Sequence, residues 1–377
     1  MSSERLKQEV IEESKRLGID KIGFTSADPF VELKERLREQ ESLNYASGFE
    51  KGTNEERTEP KVLLKEAKSI ISIALAYPSR IEDPPKSTKE DRRGIFSRAS
   101  WGEDYHHVLR RKLEELMVFI KAQVPDVRYE VMVDTGELVD SAVAERAGIG
   151  FTGKNTLLIT EEFGSFVYLG EILISIPFTP DEPLQLDCGE CRKCIDACPT
   201  GAIVEGGRLN SQQCLAFQTQ TKHFLKDEFK NVLGTRVYGC DTCQLVCPYN
   251  KGIDFHHHPE FEPEPEVAKP KLKPMLNASN REFRSKFGHV AGFWRGKNPL
   301  QRNAIIGLAH YKDKTAIDDL IEVLNTDVRP AIRGTAAWSL GKIGTEKSYQ
   351  AIEKALEKEQ HEQARAEMVT GLSFRDL

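Results

Sequence analysis

The sequence lacks several features that would place it in common functional classes. No apolar run reaches the ~18 residues of a membrane-spanning helix, and residues 1–18 form a charged amphipathic pattern rather than a signal peptide or a twin-arginine leader. No GxGxxG follows a predicted strand and no P-loop occurs, which excludes the usual dinucleotide and nucleotide sites. The net charge of −6 provides no overall basic excess for nucleic acid.

Cysteine is absent from most of the chain, and all eight cysteines lie between positions 188 and 247. Cys188 to Pro199 reads Cys-x2-Cys-x2-Cys-x3-Cys-Pro, and Cys240 to Pro248 reads Cys-x2-Cys-x3-Cys-Pro, with Cys214 between them. The first run has the bacterial ferredoxin spacing, in which three cysteines bind one [4Fe–4S] cluster and the cysteine before proline binds the other. The pattern therefore predicts two clusters.

This spacing rule assigns four ligands to each cluster. The first set is Cys188, Cys191, Cys194 and Cys247, and the second set is Cys198, Cys214, Cys240 and Cys243. The alternatives are two zinc sites or a disulfide framework. Zinc sites use spaced cysteine pairs and need neither a third cysteine nor the Cys-Pro ending, and disulfide frameworks are typical of short secreted chains. With no leader or membrane segment in this sequence, its reduced thiols and labile clusters predict a cytoplasmic protein.

Strand patterns at 69–77, 129–133 and 166–176, together with helix patterns that include 137–147, predict one α/β or α+β domain over residues 1–180. Asp134 follows a predicted strand at 129–133, and the carboxyl ends of strands commonly carry the sites of α/β proteins. It would donate a proton if burial raised its pKa, and its alternative role is an N-cap for the next helix. Asp140 and Glu145 are predicted to be exposed. The glycine-bearing loop at 150–158 is a weak sign of binding to phosphates or amides.

Residues 256–273 read as a Pro- and Glu-rich linker, and the sign of the charge changes after it. His256, His257 and His258 are interpreted as a solvated loop rather than a metal site, because adjacent residues rarely converge on one ion. From 271 to 302 there are eight basic residues and one acidic residue, a net charge of +7, with four aromatic residues interleaved. This pattern predicts binding to nucleic acid, and the alternative is a solvated basic face.

Residues 300–377 contain an internal repeat with a period of 32, as the spacing of Leu308, Leu340 and Leu372 shows. Each repeat reads as a helical hairpin that buries one face against the next repeat. The pattern predicts a short α-solenoid similar to HEAT repeats, which either binds a partner along one face or forms a structural cap.

Together these motifs resemble the epoxyqueuosine reductase family over essentially the whole chain. The resemblance is carried by SRASWGEDYHHVLR (97–110), VDTGELVDSAVAERAGIGFTGKNTLLI (133–159), GSFVYLGEILI (164–174), CLAFQTQ (214–220) and the cysteines. It implies an oxidoreductase that reduces epoxyqueuosine to queuosine at the wobble position of tRNA, the last step of queuosine biosynthesis. It also implies cobalamin and two [4Fe–4S] clusters as cofactors, with electrons passing from the clusters to cobalamin and Asp134 as proton donor.

The resemblance further implies an α+β fold in four parts. These are a nitroreductase-like cobalamin-binding domain at 1–180, similar to that of reductive dehalogenases, a ferredoxin-like two-cluster domain at 181–255, a linker and basic segment at 256–299, and HEAT-like repeats at 300–377. The implied cobalamin contacts are Arg57, Ser97, Asp134, Gly153, Lys154, Asn155, Thr156, Leu158, Tyr168, Leu169, Leu215, Gln218 and Lys222. The family often has Tyr-Ala where this chain has Ala99-Ser100.

The expected partners are the anticodon stem-loop of tRNA and an external low-potential electron donor, with no membrane contact and a monomeric state. The tRNA contacts predicted from charge are Arg281, Arg284, Lys286, Arg295, Lys297, Arg302 and Arg333. Two rival interpretations remain: an electron-transfer module that docks on RNA without catalysis, and a cobalamin-dependent reductase of a small molecule.

Overall fold

The computed structural model describes residues 2–204 and 207–376. The helices are α1 Ser3–Arg16, α2 Val31–Ser42, α3 Asn54–Thr58, α4 Pro60–Leu63, α5 Tyr105–Gln123, α6 Asp140–Arg146, α7 Lys193–Ala197, α8 Leu215–Gln218, α9 Asp227–Leu233, α10 Thr242–Leu245, α11 Pro265–Ala268, α12 Pro274–Asn277, α13 Asn280–Phe287, α14 Lys297–His310, α15 Ile317–Thr326, α16 Pro330–Ile343, α17 Glu346–Leu356 and α18 Glu362–Ser373. The strands are β1 Lys21–Ser26, β2 Ser69–Ala76, β3 Ile95–Phe96, β4 Tyr129–Met132, β5 Phe151–Thr152, β6 Leu158–Ile159, β7 Val167–Ile174, β8 Ile203–Val204, β9 Arg208–Leu209 and β10 Arg236–Tyr238. Among these helices none has the length and apolarity needed to cross a bilayer.

The chain forms two compact units, each assembled from three separate stretches. The first unit contains Met1–Arg80, Glu103–Cys214 and Thr242–Glu262, and the second contains Ile81–Gly102, Leu215–Asp241 and Pro263–Leu377. The mixed helix and strand content confirms the predicted α+β class. The four predicted domain boundaries stay a prediction.

The first unit is built on a four-stranded antiparallel sheet in the order β1-β2-β7-β4. All eight residues of β2 are buried, so this strand is covered on both faces, which suits its continuous apolar sequence. Helix α5 covers one face: a Cβ added at Gly170 of β7 would lie 3.1 Å from side-chain atoms of Leu109 and of Leu113. On the other face, Leu169 packs in a cluster with Ala144 of α6.

The strands and helices predicted for this unit are present with small shifts at their ends. The strands expected at 69–77 and 166–176 are β2 and β7. Helix α5 begins at Tyr105, where the side chain of Asp104 accepts the N–H of His106 as an N-cap. Helix α6 begins at Asp140, three residues later than expected, and the intervening residues form the loop that carries Asp134.

The second unit ends in the predicted helical repeats. Helix α16 packs against α14, α15, α17 and α18, and α17 also packs against α18. Close approach of α16 and α18 requires glycine, because a Cβ on Gly341 would lie 2.1 Å from the carbonyl oxygen of Gly371. Two aromatic residues of the basic segment, Phe283 and Phe287, are buried in the core beneath these repeats.

Candidate active site

Asp134 lies in a tight turn just beyond the end of β4. Its φ of +49° is a value that non-glycine residues rarely adopt, and the N–H of Thr135 bonds to the carbonyl of Val133 across the turn. Among the described residues, no side chain caps the N-terminus of α6. The alternative role of Asp134 as an N-cap is therefore wrong, and its predicted position at the carboxyl end of a strand is confirmed.

The carboxylate of Asp134 accepts hydrogen bonds from two neighbouring side chains of α5. His106 Nε2 lies 3.2 Å from Asp134 Oδ2. Burial on its own would raise the pKa of Asp134, but hydrogen bonds from His106 and Tyr105 outweigh it, so the pKa lies below its ordinary value. The side chain is 60% exposed. The condition stated for Asp134 as a proton donor, a pKa raised by burial, is therefore not met in this structure, where the neighbouring hydrogen bonds favour the carboxylate.

His106 lies between two carboxylates. Its Nδ1 is 2.6 Å from Asp104 Oδ1, and its ring stacks on that of Tyr105 with centroids 4.1 Å apart. Burial lowers the pKa of His106, but Asp104 and Asp134 together raise it to about 9. The imidazole is therefore a cation at neutral pH and donates to both acids. Sequence analysis missed this residue, although it lies within the SRASWGEDYHHVLR motif.

Two further carboxyl groups lie behind the turn of Asp134. Asp140 Oδ2 accepts the backbone N–H of Asp134 at 2.8 Å, and burial, with the charge of Asp134 adding to it, raises the pKa of Asp140 to about 7. Glu171 of β7 is fully buried, and within the described residues neither of its oxygens has a hydrogen-bond partner. Burial and then the charge of Asp140 raise the pKa of Glu171 well above its ordinary value.

The prediction that Asp140 and Glu145 are exposed is therefore wrong. Both side chains are partly buried. The carboxylate of Glu145 accepts the backbone N–H and the hydroxyl of Thr152, each at 2.9 Å. Glu145 thus fixes β5 to α6, as Asp140 fixes the turn of Asp134.

The loop between β5 and β6 contains an unsatisfied buried donor. Asn155 is 5% exposed, and its Nδ2 has no hydrogen-bond partner in the part of the chain that the structure describes. A buried N–H without an acceptor costs about 1–3 kcal/mol. The amide and phosphate oxygens of a cobalamin are acceptors of the required kind, so this loop fits the cofactor that the sequence resemblance implies.

Lys154 connects the same loop to the first cysteine run. Its backbone nitrogen lies 3.4 Å from Cys188 Sγ, and its Nζ donates to the carbonyls of Gly189 at 2.6 Å and Cys191 at 3.1 Å. An N–H group aimed at sulfur and a nearby positive charge are two of the factors that set the potential of an iron–sulfur cluster. Lys154 is therefore positioned to act on a cluster.

Other predicted cobalamin contacts in the first unit lie on the sheet and its loops. Tyr168 of β7 is buried; its ring stacks on that of Tyr105 with centroids 4.5 Å apart and lies tilted against that of Tyr77 with centroids 4.4 Å apart. This aromatic stack adjoins Asp134, because Tyr105 also bonds its carboxylate. Arg57 lies on α3, where burial lowers the pKa of its guanidinium.

The four cysteines predicted for the first cluster are neighbours. Helix α7, which contains Cys194, packs against α10. Burial raises the pKa of Cys194, and the nearby thiols of Cys188 and Cys247 raise it further. Burial also raises the pKa of Cys247, with Cys188 and Cys191 adding to it. These mutual effects fit the predicted ligand set of one cluster.

The cysteines predicted for the second cluster are divided between the two units. Cys198, Cys214 and Cys243 belong to the first unit and Cys240 to the second. Burial raises the pKa of Cys198, but backbone N–H groups of Thr200, Ile203 and Ala202 and the Thr200 hydroxyl lower it overall, which favours the thiolate that a cluster requires. All eight cysteines are free of disulfides, so the disulfide alternative is wrong.

The second unit carries the remaining predicted cobalamin contacts, which are Ser97, Leu215, Gln218 and Lys222. Ser97 is buried, and its N–H donates to the carbonyl of Tyr238 at 2.8 Å. Lys222 is exposed.

Arg302 is not a surface residue, which corrects its prediction as a tRNA contact. It is 2% exposed, and its guanidinium donates to the carbonyls of Gln218, Thr221 and His223, each at 2.7 Å. It orders the loop that carries Lys222. Arg302 was predicted to be accessible because it adds to the local positive charge, but charge content does not reveal burial.

The side chain of Arg333 also forms hydrogen bonds within the second unit. Its Nε and Nη2 donate to the two carboxylate oxygens of Glu359 at 2.7 and 2.8 Å, and its Nη1 donates to the carbonyl of Asp327. This bidentate pair offsets the charge of the guanidinium, whose side chain is partly exposed, and the tRNA contact at Arg333 stays a prediction.

The remaining basic residues of the segment are accessible. Arg281 and Arg284 of α13 are exposed, and Lys286, Arg295 and Lys297 are partly exposed. Of the four interleaved aromatic residues, only Trp294 is exposed, at 53%. Arg295 lies over its ring at 4.9 Å, which leaves one exposed aromatic and cationic pair beside the basic helix.

The three adjacent histidines at 256–258 do not all lie in the solvated loop that the sequence predicts. His258 is buried, and its Nε2 lies 2.6 Å from Asp20 Oδ2. His257 Nδ1 lies 2.7 Å from Asp20 Oδ1, whereas His256 is exposed and pairs with Glu262. Asp20 thus fixes this segment to the start of β1, which the Pro- and Glu-rich composition did not indicate.

Comparison with known proteins identifies the kind of protein. Residues 187–250 match the 4Fe-4S double cluster binding domain, which excludes the zinc alternative, and residues 296–373 match HEAT repeats, which confirms the predicted repeats. Together with the acidic site on the sheet, these matches define a two-cluster iron–sulfur oxidoreductase.

The comparisons also define the family. Residues 57–135 match the domain described as epoxyqueuosine reductase QueG, DUF1730. The chain is 60% identical over 374 residues to the epoxyqueuosine reductase of Bacillus subtilis (strain 168), covering 99% of this chain and 97% of the relative. It is 50% identical to that of Staphylococcus aureus over 100% of this chain and 98% of the relative. The chain belongs to the epoxyqueuosine reductase family.

Two solved structures are similar over nearly their whole length. One is an epoxyqueuosine reductase with a tRNA-TYR epoxyqueuosine-modified tRNA stem loop, with a TM-score of 0.97, 60% identity and coverage of 99% of both chains. The other is the Bacillus subtilis enzyme with its catalytic aspartate loop swung out of the active site, with a TM-score of 0.96, 59% identity and coverage of 98% of this chain and 99% of that chain.

Proposed function

We propose that this protein reduces the epoxide of epoxyqueuosine to give queuosine at the wobble position of tRNA, the last step of queuosine biosynthesis. The observation that carries the proposal is its identity of 50–60% to epoxyqueuosine reductases over essentially the whole chain. A relative with 60% identity binds an epoxyqueuosine-modified stem loop. The reaction consumes two electrons and two protons and releases the epoxide oxygen as water.

Two sets of cysteines would hold the two clusters. Cys188, Cys191, Cys194 and Cys247 would bind the first, and Cys198, Cys214, Cys240 and Cys243 the second, as in the crossed ferredoxin pattern. The mutual effects among the first four thiols support that set.

Cobalamin would be held in the first unit by the loop at 153–158, with Asn155 providing an unused donor, and by Tyr168, Leu169 and Arg57. When bound, cobalamin would supply reducing power at the substrate carbon, with electrons delivered by the clusters. The contacts proposed for Ser97, Leu215, Gln218 and Lys222 stay predictions.

Asp134 would be the group that passes a proton to the departing epoxide oxygen. Its position in a strained turn, exposed and bonded to His106, suits a residue that meets an incoming substrate. The related enzyme whose catalytic aspartate loop swings out of the active site supports the same assignment.

The basic segment would bind the anticodon stem-loop. Arg281 and Arg284 are exposed on α13, and binding of basic side chains to phosphates releases counterions. Trp294 is exposed beside Arg295, and exposed aromatic rings stack on unpaired bases. The wobble base is unpaired in the free loop, so its eversion costs little.

Reversing the charge at Arg281 and Arg284 should weaken tRNA binding. We expect the double Arg→Glu variant to bind the stem-loop roughly tenfold or more weakly and to reduce the salt-dependence slope by about 2, because two phosphate contacts are lost. Filter binding over a salt series measures both quantities. Lys354 and Lys358 near the C-terminal end of α17 are exposed, and their double reversal, which changes net charge equally, is the control. Equal losses in the two variants would show a general charge effect and no site at α13.

Replacing Lys154 by methionine should make the first cluster harder to reduce. The ammonium that binds the carbonyls of Gly189 and Cys191 is lost, and a nearby positive charge stabilises the added electron. We expect the midpoint potential to fall by about 60 mV, equivalent to a tenfold change in a one-electron equilibrium. Redox titration followed by electron paramagnetic resonance measures it, with Lys61→Met on exposed α4 as the control. An unchanged potential in Lys154→Met would remove Lys154 from cluster tuning.

Anaerobic purification followed by turnover of an epoxyqueuosine-containing stem-loop tests the function as a whole. Iron for two clusters, a corrinoid spectrum and formation of queuosine are the expected results. Clusters without corrinoid and without turnover would favour an electron-transfer module that docks on RNA. Reduction of small molecules without RNA would favour the other rival. A cytoplasmic location, a monomeric state and an external low-potential donor stay predictions.

A further inference from the structure

The proposed reaction needs a source of protons that Asp134 does not provide by itself. Each turnover consumes two protons, and one carboxyl group carries at most one. Hydrogen bonds from His106 and Tyr105 keep Asp134 ionised in this structure. His106 lies within hydrogen-bonding distance of the Asp134 carboxylate, where it is placed to deliver protons to it.

We propose that His106 is the positioning residue that stores the proton for Asp134 and delivers it along a hydrogen-bonded chain from Asp104 through His106 to Asp134. This inference rests on the proposed function and deepens it. It assigns a role to His106 and Asp104 in addition to that of Asp134.

The geometry of the chain suits proton delivery. Asp104 Oδ1 is 2.6 Å from His106 Nδ1, which holds a proton on that nitrogen and leaves Nε2 to exchange one with Asp134 at 3.2 Å. Asp104 also accepts the backbone N–H of His106 as the N-cap of α5, and the ring stacks on Tyr105. The imidazole is therefore fixed in one orientation from two sides.

Each turnover transfers two protons and two electrons to the substrate. His106 Nε2 gives its proton to Asp134 Oδ2, and Asp134 protonates the epoxide oxygen as a carbon–oxygen bond breaks. His106, whose side chain is 26% exposed, takes a proton from solvent and delivers the second one, and the oxygen leaves as water. Two electrons come from the external low-potential donor of the proposed function and form the carbon–carbon double bond of the product.

The charged groups around the chain keep the proton on His106 in the resting enzyme. Asp104 and Asp134 face the two nitrogens of His106 directly, and the next residue of α5, His107, is exposed. Behind Asp134, burial raises the pKa values of Asp140 and Glu171, which favours their neutral forms. Asp104 and Asp134 thus outweigh burial, and the pKa of His106 rises to about 9.

The test compares His106→Gln with Asp104→Asn in the holoenzyme. The glutamine amide still donates a hydrogen bond to Asp134 but does not titrate. We expect His106→Gln to slow single turnover roughly 100-fold, within the range of general acid–base effects, with KM unchanged within about twofold. The wild-type rate should fall above pH 9 as His106 loses its proton. This alkaline decline should disappear in His106→Gln and move to lower pH in Asp104→Asn.

A second measurement does not depend on activity. Nitrogen-15 NMR of histidine-labelled, oxidised holoenzyme should show His106 protonated up to about pH 9 and titrating at lower pH in Asp104→Asn. His107→Gln, which alters the exposed neighbouring histidine, should keep the wild-type rate and profile.

Several outcomes would overturn the proposal. An alkaline decline that persists unchanged in His106→Gln, a loss confined to KM, or an imidazole that titrates near pH 6.5 would each show that His106 has a structural role only. Failure of the wild-type enzyme to reduce the stem-loop would instead refute the proposed function, so the two failures are distinguishable.

Discussion

Replacing Asp134 by asparagine should abolish turnover of the epoxyqueuosine stem-loop while leaving the fold, the clusters and tRNA binding intact. Asparagine has nearly the same shape and, like aspartate, tolerates the positive φ of +49° at this position. It keeps hydrogen bonds to His106 and Tyr105 possible but carries no transferable proton. We expect a loss of at least 10²–10⁴-fold in the single-turnover rate constant, the usual scale of general acid–base catalysis.

The measurement needs a control that separates chemistry from stability. Asp126 is exposed, before β4, and Asp126→Asn should turn over at the wild-type rate. Iron content, the melting temperature and the affinity for the stem-loop should match among the wild type and both variants. Substantial turnover by Asp134→Asn would remove Asp134 from the mechanism and transfer the role of proton donor to another group.

The protonation state of Asp134 shows why a site cannot be derived from position alone. The sequence predicted an acid at the end of a strand, which the structure confirms, because the apolar run at 131–133 is typical of a short strand. Its pKa depends on Tyr105 and His106, which are about 30 residues away along the chain and come close only when α5 packs on the sheet. The direction of a pKa shift is a property of this tertiary contact.

The cysteines were the most predictable part of the site. A cluster needs thiolates at short spacings from tight loops, so the spacing of nearby cysteines is enough to predict its ligands. The double-cluster match at 187–250 agrees with this prediction. The repeats were predictable for a similar reason, since each hairpin buries the same face against its neighbour. Both features depend on residue type and interval and on little else.

Buried polar residues were the least predictable part. Glu171, Arg302 and His258 read as ordinary surface residues in a sequence, yet each is at most 5% exposed. Each lies on or beside an element whose burial is decided by other segments: Glu171 in the central strand β7, Arg302 in α14 and His258 against Asp20. Amphipathic patterns indicate which face of an element is apolar, but not which polar residue will find a partner inside.

Replacing Arg302 by methionine should destabilise the second unit strongly and leave tRNA affinity unchanged. Burial lowers the pKa of Arg302 to about 9, so the guanidinium is still charged at neutral pH, and it is held by the carbonyls of Gln218, Thr221 and His223. Its removal deprives three carbonyls of donors at about 1–3 kcal/mol each. We expect stability to fall by about 3 kcal/mol or more, a drop in melting temperature of roughly 6–12 °C for a unit of this size.

Arg284→Met is the matched control, because it removes the same charge from an exposed position on α13. It should leave the melting temperature unchanged and weaken stem-loop binding at low salt, since each phosphate contact contributes to counterion release. Arg302→Lys should lie between wild type and Arg302→Met in stability, because lysine keeps the charge but not the planar set of donors. Weaker tRNA binding by Arg302→Met at an unchanged melting temperature would contradict the buried position, because only an accessible guanidinium contacts phosphate directly.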